Sequence, residues 1–89
     1  YEAALREYDK PRRMPIVLGE SQYEGSAGND AGTPRQVRRQ AYWALLSGAA
    51  GHAYGSELWR FPPDWRAALR APGGEQMRHV AALFGGVPW

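Results

Sequence analysis

The chain has 89 residues, 44% of them apolar, with 11 basic and 9 acidic side chains and a formal net charge of +2. That is an ordinary globular composition, and the absence of any long basic run excludes the electrostatic footprint of a nucleic-acid binder. Cysteine is absent, so disulfides and thiolate metal sites are excluded, and no apolar run approaches the roughly 20 residues that a membrane span needs.

In chain order, YEAALREY at residues 1–8 is made of good helix formers, and Pro11 and Pro15 end that helix in extended backbone. Ile16, Val17 and Leu18 form a short, β-branched-rich aliphatic run. This is the pattern of a strand buried on both faces. Gly19 and Glu20 close it. Residues 21–33 are a Gly-, Ser- and Asn-containing loop of about a dozen residues, longer than the usual strand-to-helix connection. Loops of that length tend to be functional.

A helix start follows, with Thr33 as N-cap, Pro34 at the first helical position and Gln36 placed for a capping box. Val37, Ala41, Ala44, Leu45 and Gly48 share one face of that helix, and Ser47-Gly48 ends it. Residues 51–55 read as a second short strand, which makes a βαβ unit with a right-handed crossover. ELWRFPPDW is an aromatic, Pro-rich loop; Asp64 is placed to cap a short helix, WRAALRA, that stops at Pro72-Gly73. A last helix carries Met77, Val80, Ala81 and Phe84 on one face.

Two parallel strands do not make a stable sheet alone, because parallel sheets occur with both faces covered. The expected fold class is therefore α/β, with the chain a C-terminal portion of a larger domain. In such folds ligands bind at the carboxyl ends of the strands. Glu20, the loop behind it, and the loop bearing Trp59, Phe61 and Trp65 all leave from that end. Carboxylates beside aromatic rings suit a sugar.

The motifs GE..YEG, R.QAYWALLSGAAGHAYGS..LW.F and W...L..PGG.QM resemble the C-terminal part of the apiosidase-like glycoside hydrolases, which are (β/α)8 TIM-barrel enzymes of bacteria. The resemblance implies that residues 15–20 are the seventh barrel strand, 34–48 the seventh helix and 51–55 the eighth strand. It also implies that Glu20 is the nucleophile of a retaining glycosidase. The acid/base carboxylate would lie outside these residues, so the rest of the barrel would be required for a complete site. The implied substrate is a poly- or oligosaccharide, and the implied location is outside the cytoplasm, secreted or periplasmic.

Around Glu20, the residues expected to bind substrate are Tyr23, Glu24, His52, Tyr54 and Trp59. Each has a plainer reading. Tyr23 could donate a hydrogen bond to Glu20 and tune its ionisation or simply anchor the loop, and Glu24 could hydrogen-bond a sugar hydroxyl, support Glu20, pair with one of Arg35, Arg38 and Arg39, or replace Glu20 as the nucleophile. His52 and Tyr54 share a strand face by period two, where a lone His is usually a packed residue; Trp59 could be core. His52 and His79 are too far apart in the pattern to suggest a metal pair, and no metal or cofactor is expected. No serine sits in a G-x-S-x-G elbow, and the Gly-rich loop lacks the Lys of a phosphate-binding loop. A non-catalytic carbohydrate-binding barrel segment and a small α+β protein-interaction domain are the alternatives.

Overall fold

The computed structural model describes residues 2–26 and 32–88. Helix α1 (Glu2–Tyr8) precedes strand β1 (Val17–Leu18), helix α2 (Pro34–Leu46) and strand β2 (Gly51–His52); a 3-10 turn (Glu57–Arg60) then leads to α3 (Trp65–Ala68) and α4 (Pro72–Gly85). The chain is mixed α/β, and β1 and β2 pair in parallel with α2 as the crossover between them.

The strands are shorter than expected. Val17 faces Gly51 and Leu18 faces His52, and the ladder is extended by Ala50 N–H to the Ile16 carbonyl at 2.7 Å and Ala53 N–H to the Leu18 carbonyl at 2.9 Å. Burial of the first strand on both faces is corrected too: Ile16 and Leu18 are half-buried, but Val17 is 62% exposed. Helix α2 packs on the pair, and Val17 is left largely open among the described residues.

Helix α2 is as the sequence anticipates at both ends. Thr33 Oγ1 accepts from Gln36 N–H at 3.2 Å while Gln36 Oε1 accepts from Thr33 N–H at 2.8 Å, a reciprocal capping box. At the other end Gly48 adopts φ +89°, Ala49 N–H reaches the Ala44 carbonyl at 3.0 Å, and Gly48 N–H reaches the Leu45 carbonyl at 3.1 Å. That is a Schellman motif, which glycine enters without a Cβ penalty. A Cβ at Gly48 would also lie 2.5 Å from Tyr8 Cδ2, so the same glycine lets the end of α1 close on the end of α2.

The core is centred on α2, which packs against α4 and against the strand pair. Val37, Ala41, Ala44, Ala49 and Val80 are buried, the Tyr42 and Phe84 rings meet at 6.2 Å, and the Arg38 guanidinium donates to Gln76 Oε1 at 2.6 Å.

Two expectations about the last third need correction. Helix α3 is a single turn whose Asp64 makes no side-chain cap, and its carbonyl instead accepts from Ala67 N–H at 2.9 Å. Residues 72–74, expected to break the chain, are the first turn of α4, with Pro72 at its start. Proline suits that position because it lacks the N–H that a first turn leaves unpaired. The buried face of α4 begins earlier than expected, at Gly73, and continues through Met77, Val80 and Phe84, while Ala81 is exposed.

Candidate functional site

The carboxyl ends of β1 and β2 open on one side, and the chain leaving β1 carries both carboxylates of interest. Glu20 is exposed. The Tyr23 hydroxyl donates to Glu20 Oε1 at 3.1 Å. That bond, with a smaller effect of burial and the negative charges of Glu20 and Glu57, holds the Tyr23 phenol above its ordinary pKa. The Tyr23 phenol therefore stays protonated, and donates a hydrogen bond to Glu20, throughout the working pH range of most enzymes.

The ring of Tyr23 rests on Gly55, just past β2, where an added Cβ would come within 2.6 Å of Tyr23 Cε1. Only a glycine leaves that seat free. Gly55 also accepts the Glu24 N–H at 2.9 Å, so the two strand exits are joined at backbone level.

Glu24, four residues along, sits in a different environment at 9% exposure. Its Oε2 accepts from the Tyr54 hydroxyl at 2.6 Å and from Gly74 N–H at 3.2 Å, and its Oε1 accepts from Gly73 N–H at 2.9 Å. The expected alternative of an arginine partner is not realised: Arg38 serves Gln76, and the Arg39 guanidinium lies over the Trp43 ring at 4.3 Å. Burial and the Glu24 carboxylate raise the Tyr54 pKa far above the ordinary phenol range. A neutral phenol facing a carboxylate is what a buried hydrogen bond of this kind requires.

His52 does not join these groups by any hydrogen bond. Its Nε2 is buried without a partner among the described residues, and burial lowers its pKa, which favours the neutral imidazole. Trp59 is on the 3-10 turn and is 61% exposed. The Arg60 guanidinium lies 4.7 Å from the Trp59 ring centroid while its Nε pairs with Glu57 at 3.1 Å. Next to it, Phe61 is 75% exposed and takes a left-handed φ of 49°, a conformation unusual for an aromatic residue.

The structure thus brings together Glu20 with Tyr23, and Glu24 with Tyr54. It also assigns weight to Gly55, Gly73 and Gly74, which sequence reasoning passed over. The last two read as a chain break in the sequence, because the acceptor of the Gly73 N–H lies 49 positions away.

A parallel βαβ unit is the building block of α/β domains, a class whose ligands bind at the carboxyl ends of the strands. The family is given by direct comparison: the model of the apiosidase-like, catalytic-domain family matches residues 1–89, and the chain belongs to that family. Membership points to glycosidase activity on a carbohydrate substrate. Comparison with curated proteins and with solved structures gives no match.

Proposed function

We propose that this chain supplies the nucleophile side of the active site of a retaining glycosidase, with Glu20 as the nucleophile. The observation that carries the reading is the exposed Glu20 carboxylate just past β1, held through one oxygen by Tyr23 in a chain of the apiosidase-like family. The second oxygen is then left to approach an anomeric carbon. In the first step Glu20 bonds to that carbon as the bond to the leaving oxygen breaks, and a second carboxyl group protonates the leaving oxygen. In the second step that group, now a carboxylate, takes a proton from water, and the water oxygen displaces Glu20 with net retention. The two carboxyl groups must stand about 5 Å apart.

In this reading β1 and β2 are strands seven and eight of a (β/α)8 barrel, and the acid/base group comes from another part of the protein. The exposed Val17 and an apolar groove of about 340 Å³ between α1, β1 and α2, lined by Ala3, Ala4, Ile16, Leu18, Trp43 and Ala44, support it, because further barrel elements would cover both. Trp59 is the proposed sugar platform, with Arg60 on one of its faces. His52 is proposed to lie under the substrate at the second strand, its neutral imidazole able to meet a hydroxyl.

The test is azide rescue in the full-length protein, using activated aryl glycosides. Glu20→Ala and Glu20→Gln should both lose turnover, and azide should restore Glu20→Ala with release of a glycosyl azide of inverted configuration. Near-normal turnover in both variants removes Glu20 from the chemistry.

A further inference from the structure

Of the two carboxylates behind β1, Glu24 is the one with its oxygens occupied by the protein itself. Helix α4 explains why. An α-helix leaves the N–H groups of its first turn unpaired, and a Ser, Thr, Asp or Asn just before it usually accepts one of them. The residue in that place is Ala71, which makes no side-chain cap. Pro72 has no N–H to offer, Gly73 and Gly74 donate to Glu24, and Glu75 N–H returns to the Ala71 carbonyl at 3.0 Å. The first turn is fully satisfied only because Glu24 reaches it from the far side of the sequence.

The backbone around Glu24 is pinned in the same place. Its N–H goes to Gly55, Gly25 N–H goes to the Gly32 carbonyl at 3.2 Å, and Gly32 N–H goes to the Tyr23 carbonyl at 2.8 Å. Neighbouring residues in extended chain point to opposite sides. Drawing the Glu24 side chain to α4 therefore sends Tyr23 the other way, onto Gly55 and Glu20.

We propose that Glu24 is a positioning residue: by capping α4 from the loop it fixes the register that keeps the Tyr23 hydroxyl on Glu20. Its catalytic meaning rests on the proposed role of Glu20, while its structural content does not.

The experiment follows the Tyr23 phenol by NMR titration in the full-length protein with isotope-labelled tyrosine. In the wild type Tyr23 should titrate above the ordinary phenol value of about 10. In Glu24→Ala it should fall back toward that value, and kcat should drop on the order of a hundredfold with little change in KM, the scale set by small misplacements in active sites. Glu24→Gln keeps the volume but turns an amide N–H2 toward one of the donors, so it moves both readouts in the same direction by less and serves if the alanine variant does not fold.

Adding Ala71→Asp to Glu24→Ala gives α4 a local cap. The thermal midpoint should recover while the Tyr23 titration and kcat do not. An unchanged Tyr23 titration in Glu24→Ala, or recovery of titration and kcat with Ala71→Asp, makes Glu24 a stabiliser only and overturns the proposal. Azide rescue of Glu24→Ala overturns it as well, by making Glu24 the nucleophile. Failure of azide rescue at Glu20→Ala removes the nucleophile reading alone, because the Tyr23 titration is read without turnover.

Discussion

Helices α2 and α4 meet the same requirement at their N-termini by different routes. Helix α2 is capped by its own neighbours, Thr33 and Gln36, within one turn of sequence. Helix α4 has alanine at that position and takes Glu24 instead. The contrast separates two uses of a cap. A local cap stabilises a helix and touches nothing else, whereas a cap drawn from another element also fixes where that element lies. Here the element is the segment that carries Tyr23 beside Glu20.

The contrast can be broken most sharply at Gly73. A Cβ there would overlap Glu24 Oε2 and lie 2.6 Å from Val37 Cγ2, so Gly73→Ala presses on the cap and the core together. The expected loss is about 3 kcal/mol, the upper end for overpacking, seen as a lower urea midpoint with little change in slope. Thr33→Ala, by comparison, should cost about 1 kcal/mol in the same measurement and leave kcat unchanged, because its cap holds only its own helix.

The smallest effect is a pH dependence. Burial lowers the His52 pKa, so the folded state prefers the neutral imidazole more than the unfolded chain does. The stability this gives is present above the unfolded value of about 6.5 and is lost as pH falls below it. His52→Gln should flatten that acid limb of the thermal midpoint and leave α2, α4 and the Glu24 cap as they are. A limb of undiminished slope in the variant would place its origin elsewhere.

What could be read from the sequence follows the same division. Helix α2 was legible at both ends because Thr33, Pro34, Gln36 and Gly48 act on backbone a few residues away. The parallel strand pair, the crossover and the membership in the apiosidase-like family were legible as well. The start of α4 was not, since Pro72-Gly73-Gly74 looks like a break until the acceptor for its N–H groups is known. Asp64 looked like a cap, but its side chain makes none. The exposure of Val17 was missed because an aliphatic run announces burial without naming what covers it. At the site, the strand-end position of Glu20 and the reach of the Tyr23 hydroxyl to it were legible, while their roles belong to the proposed function. Glu24 was named for its charge, and its burial could not be seen from a loop rich in glycine and serine.

The Glu24–Gly73 bond joins residues 49 positions apart, and that separation has its own cost. Closing a flexible loop of that length removes about 3 kcal/mol of chain entropy by the logarithmic rule. Gly73 and Gly74 give Glu24 two charge-assisted hydrogen bonds, each contributing roughly 1.5–3 kcal/mol, so together they are of the same size as that closure cost. The cap and the packing of α2 on α4 close the same loop and stabilise each other. Its presence reports the assembly of the whole unit, and it ties the first turn of α4 to the cooperativity of everything between.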